Sequence, residues 1–216
     1  MSEELTRKGR LPACILTSEL MDKLWHILCT DRDISWQAVV GTGGDFLGKQ
    51  EDRPRQVITE WPELISLLKT LPRIDQLIIN AAVAGKGTIG ITYKNYAPAS
   101  GELVVTGQDE EWVDERFNDI RIFFYDYKEN FATMVNGKLG FGMVQTAIPL
   151  ALSFILVMVL AGLIIPGSIR RSEWVWWITA GTVVVTLKLA YVISDRLIVY
   201  VLKKYPYIQF AVAGKK

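Results

Sequence analysis

The chain of 216 residues contains one histidine, His26, and two cysteines, Cys14 and Cys29. A single imidazole excludes zinc sites built from several Cys and His ligands. A Ser-His-Asp or Cys-His catalytic arrangement would have to form around His26, and nothing else in the sequence supports a nucleophile there. Two cysteines exclude a disulfide-rich scaffold, and an apolar content of 50% excludes a disordered chain. We therefore predict that the protein is not an enzyme and holds no cofactor or metal.

Negative charge is scarce in the C-terminal part of the chain. Residues 139–216 carry 8 Lys and Arg against 2 Asp and Glu, whereas residues 1–138 carry 16 against 21. The formal net charge of +1 therefore conceals an acidic N-terminal part and a basic, apolar C-terminal part. The acidic balance of residues 1–138 argues against broad nucleic-acid binding by that part.

Charge is absent altogether from Leu139 to Ile169, 31 consecutive residues whose apolar centre is Met143–Pro166. At about 1.5 Å per residue, this centre spans about 36 Å, enough to cross a hydrocarbon core of about 30 Å. A second apolar segment, Trp174–Ser194, opens with three tryptophans, which are typical of a membrane interface. We predict a hairpin of two transmembrane helices, with the first helix and the start of the loop at 139–169 and the loop and second helix at 170–194.

Two spans place both termini of the chain on one side of the membrane. Lysine and arginine flank that side more heavily than they occupy the loop, so the positive-inside rule favours cytoplasmic termini. Two free cysteines fit a reducing cytosol. The sequence therefore predicts a multi-pass protein of the cell inner membrane, with the lipid bilayer as a partner, a cytoplasmic domain at 1–138 and a cytoplasmic juxtamembrane tail at 195–216.

Lys188 is the charged residue within the second predicted span. It lies six residues before Ser194, so its ammonium group can reach the nearer interface by snorkelling. The alternative is a charge that lines a pore or binds a partner. We take Lys188 as the candidate residue for a membrane function.

Residues 1–138 show the patterns of a small α+β domain with an antiparallel sheet and helices. Ile89, Ile91 and Tyr93 alternate with polar or small residues, as in a half-buried strand, and predict a β-hairpin with Glu102–Thr106. Residues 1–10 are polar, and we expect them to be mobile. The remaining predicted elements are the helices Ser18–Cys29 and Pro62–Leu71 and the strands Ser35–Val40, Gln56–Trp61 and Ile74–Val83.

An aromatic-rich seam runs along the helix predicted within Gln108–Val135. Its members follow one another at spacings of 4, 3, 4, 3 and 4 residues: Val113, Phe117, Ile120, Phe124, Tyr127 and Phe131. Such a seam either packs on the sheet as core or forms a stalk that carries oligomer contacts. A strand at Ile120–Tyr125 is a third option. The seam is therefore a candidate for either core or oligomer contacts.

Carboxylates are concentrated at the start of the same predicted helix. They offer ligands to a divalent cation, but a solvated helical face explains them as well, because acidic side chains suit a helix N-terminus. The run consists of Asp109, Glu110, Glu111, Asp114, Glu115 and Asp119.

The order of these parts, a small sensor-like domain followed by a C-terminal two-span hairpin, resembles the membrane effectors of bacterial anti-phage systems, of the retron-associated type. The resemblance covers the whole chain as a matter of length, order and span number, and it carries over no functional residue. It implies abortive infection. A complex of a reverse transcriptase with its RNA–DNA product would restrain the protein, and released copies would self-associate and disrupt the inner membrane. The alternative is a passive membrane tether or scaffold that presents the domain to a partner.

Overall fold

The computed structural model describes residues 4–31, 33–42, 55–96, 99–137, 140, 142–164 and 174–211. The strands are β1 (Leu5–Leu11), β2 (Cys14–Leu16), β3 (Ile34–Gly41), β4 (Arg55–Ile58), β5 (Gln76–Val83), β6 (Gly87–Lys94), β7 (Ser100–Gly107) and β8 (Ile208–Phe210). The α-helices are α1 (Ser18–Leu28), α2 (Trp61–Thr70), α3 (Glu110–Asp126), α4 (Asn130–Asn136), α5 (Ile148–Ile164) and α6 (Trp174–Lys204), with a π-helical turn at Met143–Ala147 before α5.

Six strands form one sheet in the order β1-β7-β6-β5-β3-β4, and all neighbouring strands are antiparallel. The predicted β-hairpin is confirmed, because Ile91 of β6 lies opposite Leu103 of β7. The alternation in β6 sends Ile89, Ile91 and Tyr93 to a buried face and leaves Thr88 exposed on the other. The sheet therefore has a core face and an open face.

The N-terminal residues differ from the expectation of a mobile segment. Leu5–Leu11 forms the edge strand β1, in register with β7 along its whole length. Arg7 pairs with Asp114 of α3, with 2.5 Å from Nε to Oδ1, and Lys8 pairs with Glu102 of β7. The strand lacks the apolar alternation by which a strand is usually predicted from sequence, because several of its positions are charged. Charged side chains protect a sheet edge from pairing with a further strand.

The helices of the sheet domain cover one face of the sheet. Thr17 caps α1, since its hydroxyl oxygen accepts a hydrogen bond from the Leu20 backbone N–H at 3.2 Å. Apolar residues at helical spacing, such as Leu24 of α1 and Leu64 of α2, are fully buried against strand residues such as Leu77. Trp61 joins this core beside two other indole rings, those of Trp25 and Trp36.

The chain leaves this unit after α4 and returns to it at the C-terminus. Strand β8 pairs in parallel with β2, so that Cys14 lies opposite Ile208 and Leu16 opposite Phe210. Ile208 is almost fully buried. The segment predicted as a juxtamembrane tail at 195–216 thus contains a core strand. We call β1 to β7, α1 to α4 and β8 together the sheet domain.

Between α4 and β8, the described residues of α5 and α6 form an antiparallel pair that we call the helical hairpin. Within the described part of the chain, no helix is both long enough and apolar enough to cross a membrane. Helix α5 is 17 residues long, about 26 Å against the about 30 Å of a hydrocarbon core. Helix α6 is longer, but Lys188 and Asp195 interrupt its apolar sequence.

The prediction of two transmembrane helices is therefore wrong, and with it the predicted fold class and the localisation in the inner membrane with cytoplasmic termini. The last turns of α6 belong instead to the core of the sheet domain, where Ile198 and Leu202 are buried. The loop predicted between the two spans lies outside the described residues.

Candidate functional site: the helical hairpin and its root

The first connection between hairpin and sheet domain is made through α4. The Asn136 side-chain amide donates to the carbonyl oxygens of Ala132 at 3.0 Å and Tyr205 at 2.9 Å. Tyr205 also lies edge-on to Phe131, with ring centroids 4.7 Å apart. One side chain thus ties the segment where the chain leaves the domain to the segment where it returns.

The second connection depends on Asn95, a fully buried residue at the end of β6. Its Nδ2 donates to the carbonyl oxygens of Ile74 at 2.5 Å and Ile208 at 2.6 Å, while its Oδ1 accepts from the Ile208 N–H at 2.9 Å. The Tyr207 hydroxyl donates to the Leu11 carbonyl oxygen at 2.7 Å. Because these bonds are buried, they hold β8 firmly against the rest of the sheet domain. Asn95, Asn136 and Tyr207 form what we call the root of the hairpin.

Within the hairpin, small and hydroxyl-bearing side chains form the contact between the helices. The hydroxyls of Ser153 in α5 and Thr186 in α6 lie 3.3 Å apart and are buried. Ala190 and Ser194 continue this buried face of α6 towards the domain. Small residues let two helix backbones approach closely, and hydroxyl groups hydrogen-bond across them.

The outward faces of the hairpin are apolar. Phe154 is 68% exposed, Trp176 78% and Trp177 76%. At about 200 Å² for each aromatic side chain, these three alone expose on the order of 450 Å². Further exposed apolar side chains lie along both helices: Met143, Leu150, Ile155, Met158, Val159, Ile178, Val183, Val184, Val185, Leu189, Tyr191, Val192, Ile193 and Tyr200.

Lys188, predicted as a candidate for membrane function, lies on the exposed side of α6 and next to exposed Leu189. It stands among apolar neighbours, because no Asp, Glu, Lys or Arg occurs from 142 to 164 or from 174 to 187. Lys188 is thus the first charged residue of α6, counted from the start of the helix at Trp174.

The predicted seam is divided by the structure. Val113, Ile120 and Phe124 of α3 are buried in the core of the sheet domain, and Phe117 packs over Gly9 of β1. Tyr127 ends α3 and is partly exposed, with its ring 5.4 Å from that of Phe123. Phe131 lies on α4 and is part of the contact with Tyr205 at the root.

Sequence reasoning missed a charged cluster around Asp31, which links α1, the β5–β6 turn and α3. The Asp31 carboxylate accepts from Lys86 Nζ at 2.6 Å and from Trp112 Nε1 at 2.9 Å, and Arg116 Nε lies 3.5 Å away. Burial raises the pKa of Asp31, but these donors and charges outweigh it and hold the pKa below its ordinary value. The residues are far apart in sequence, so no local pattern announces the cluster.

The cysteine in the core and the acidic run bear on the chemistry considered from the sequence. Burial raises the pKa of the Cys14 thiol to about 12, so that the thiol stays protonated and is a poor nucleophile. Among the residues that the structure describes, no group of three His, Cys, Asp or Glu side chains is placed to hold a metal ion. In the acidic run, Asp109 caps α3 by accepting from the Glu111 N–H at 3.0 Å, and Asp114 pairs with Arg7.

Comparisons with known proteins add no function. No family model matches the chain, and no curated protein matches it. Among solved structures, the PH1012 protein from Pyrococcus horikoshii OT3 aligns at 12% identity with a TM-score of 0.22, over 59% of this chain and 93% of that chain. A TM-score of this size carries no argument about fold or function.

Proposed function

We propose that the protein is an association module, in which the sheet domain holds the helical hairpin in place and the hairpin binds the hairpins of further copies of the chain. The observation that carries this proposal is the apolar, charge-free outer surface of α5 and the first half of α6. Monomeric proteins rarely expose contiguous apolar patches beyond about 300–600 Å². A surface of this kind is typical of an interface with another macromolecule.

The chemistry of the surface favours a second copy as the partner. A partner that brought charges against Phe154 or Val184 would have to bury them unpaired, which is costly. The chain itself offers a matching uncharged surface, and two copies related by a twofold axis would place like faces together. The exposed apolar side chains together offer on the order of 1,500 Å², beyond the about 800 Å² that each partner buries in a standard interface.

The root makes the hairpin a defined element rather than a loose appendage. Asn136 and Asn95 hold the chain at its exit and at its return, and Leu202 of α6 is buried in the domain core. A fixed orientation lowers the entropic cost of association, because the helices do not have to be ordered when copies meet.

The predicted role in anti-phage defence, with a reverse transcriptase and its RNA–DNA product as restraining partner, stays a prediction. Self-association after release from a partner is compatible with the hairpin surface, since a restraining partner would act by covering it. The predicted absence of enzymatic activity also stays a prediction.

The test uses a matched pair of isoleucines. Ile155 of α5 is 57% exposed and Ile122 of α3 is 58% exposed, so that lysine at either position is solvated in the single copy. We expect Ile155→Lys to shift the full chain from an oligomer towards its monomer mass of 24.3 kDa in light scattering coupled to size exclusion. Ile122→Lys should leave the oligomer unchanged. A monomeric wild type, or dissociation by Ile122→Lys alone, would contradict the proposal.

A further inference from the structure

The open face of the sheet contains a trough at its centre, with a volume of about 610 Å³. Strands β3, β5, β6 and β7 contribute its lining, and the helices of the sheet domain lie on the other side of the sheet. The volume falls within the range of about 300–1,000 Å³ that is usual for small-molecule sites. The side chains that matter here are those of Ser35, Gln37, Asn80, Thr88, Thr92 and Val104, around Gly90.

Strand register aligns these side chains across the sheet. Gln37 of β3 lies opposite Asn80 of β5, and Asn80 lies opposite Gly90 of β6. Gly90 in turn lies opposite Val104 of β7. Because side chains alternate along a strand, Thr88 and Thr92 point to the same face on either side of Gly90. The Asn80 amide and two threonine hydroxyls therefore stand next to one residue that has no side chain, and the Gln37 amide lies one strand beyond Asn80.

Gly90 has no evident role in the fold. Strand β6 pairs regularly with both neighbours through this residue, and its φ is not positive. A Cβ at Gly90 would lie 3.6 Å from Asn80 Oδ1 and 3.8 Å from the Val104 carbonyl oxygen, which is ordinary contact. By contrast, a Cβ at Gly101 would lie 2.7 Å from the Tyr93 ring, and one at Gly107 would lie 2.6 Å from the Lys86 carbonyl oxygen.

A glycine inside a strand weakens the strand and often marks a place where a ligand approaches the backbone closely. Gly101 and Gly107 are explained by crowding within the protein, whereas at Gly90 an added Cβ would make only ordinary contacts, so no neighbour requires a glycine there. The absence of a side chain at Gly90 is therefore an observation that points to an occupant, independent of the trough's volume.

The lining defines the chemistry of that occupant. Among the described residues that line the trough, none is charged, and Glu102, which lies opposite Thr92 beside the trough, is paired with Lys8, so the lining itself offers an ion no countercharge. An apolar ligand would cover the amides of Gln37 and Asn80 and leave them without hydrogen-bond partners, which is costly for a buried polar group. Amide and hydroxyl side chains both donate and accept hydrogen bonds, as the hydroxyl groups of a sugar do.

We propose that the trough over Gly90 is a binding site for a neutral, hydroxyl-rich small molecule of the saccharide class. The hydroxyls of the ligand would bond to Gln37, Asn80, Thr88 and Thr92, and its ring face would lie over Gly90 and Val104. The proposal does not depend on the helical hairpin, which lies outside this face.

The test is saturation-transfer difference NMR on the full chain, with maltose, cellobiose and lactose as neutral probes and gluconate as a charged one. This method reads the ligand signals and therefore works on an oligomer. We expect transfer to at least one neutral disaccharide and none to gluconate. Gly90→Val fills the floor of the trough and should weaken binding about tenfold or more. The melting temperature of this variant should not fall, because valine is a better strand residue than glycine.

Thr106→Val is the control, since Thr106 lies on the same face outside the trough lining and its hydroxyl contacts that of Thr6 at 3.2 Å. It should bind the sugar as wild type does. The proposal is overturned by the absence of transfer to all three disaccharides, by stronger transfer to gluconate, or by unchanged binding in a folded Gly90→Val variant.

Discussion

The sheet domain and the helical hairpin treat the same kinds of residue in opposite ways. In the sheet domain, Leu77, Ile79 and Ile91 are buried within one chain. In the hairpin, Phe154 is 68% exposed and Val184 is 67% exposed, although both residues lie in regular helices. Both regions consist of regular secondary structure, and they differ in how much of their apolar surface is buried within the chain. The sheet domain is stabilised by contacts within the chain, whereas the outer surface of the hairpin is left exposed in the single copy.

The root connects the sheet domain to the hairpin, and we expect substitutions there to lower the stability of the protein most. Asn95→Ala removes three buried hydrogen bonds and leaves backbone groups of Ile74 and Ile208 without partners. We expect the free energy of unfolding to fall by about 3–5 kcal/mol. Urea unfolding followed by circular dichroism measures this change.

Asn80→Ala is the matched control, because Asn80 is exposed on the open face of the sheet. It should change the free energy of unfolding by less than about 0.5 kcal/mol. Equal effects of the two substitutions would show that Asn95 does not hold the hairpin's return strand.

The Asp31 cluster ranks next, because it joins the ends of two helices of the sheet domain and its contacts among the described residues all lie within that domain. Asp31→Asn keeps the size of the side chain but removes the carboxylate that pairs with Lys86 and Arg116, and it leaves Arg116 with its pairs to Glu115 and Asp119 at 3.7 Å. We expect a loss of about 2 kcal/mol in unfolding free energy. The oligomeric state should not change. A variant that dissociates without losing stability would contradict the view that the sheet domain and the hairpin act independently.

The same carboxylate predicts an acid dependence. Since the pKa of Asp31 is lowered by folding, its contribution to stability is fully present above the unfolded pKa of about 3.9 and is lost as the pH falls through the folded value. Thermal melts from neutral to acidic pH should show a smaller loss in Asp31→Asn than in wild type. A steeper loss of stability in the variant would contradict the lowered pKa of Asp31 in the folded protein.

The smallest effect is expected at the exposed pair of Arg7 and Asp114. Both side chains are nearly half exposed, so solvent and salt screen their attraction. Arg7→Gln should leave the melting temperature almost unchanged in physiological salt and lower it slightly in low salt. A large drop at any ionic strength would show that the edge strand β1 depends on this pair.

The sequence predicted those parts of the sheet domain that have a local signal. The alternation around Ile91 located β6 and its hairpin with β7, because one buried face imposes a period of two. Strands β1 and β8 were missed, since each is defined by a partner far away in the chain. Leu5 lies opposite Gly107 and Cys14 opposite Ile208, and such pairings leave no periodic trace.

In the hairpin, the local sequence pattern is strong, but the tertiary contacts could not be predicted from it. Its hydrophobicity was plain in the sequence, but the pattern did not reveal that the end of α6 packs into the domain through Ile198 and Leu202. Gly90 could have been noticed, because it interrupts an otherwise regular strand pattern with a residue that strands disfavour. Its meaning depends on Gln37 and Asn80, which only the strand register places beside it.

The most direct test of the central claim asks whether copies meet through the hairpin. A spin label is placed at Val184→Cys, on the exposed face of α6, in a Cys29→Ser background with Cys14 buried. A label at Ile122→Cys of α3 serves as control. We predict dipolar coupling between labels at 184 that disappears when labelled chain is diluted with unlabelled chain, and no such coupling at 122. Spectra at 184 that do not change on dilution would contradict the account.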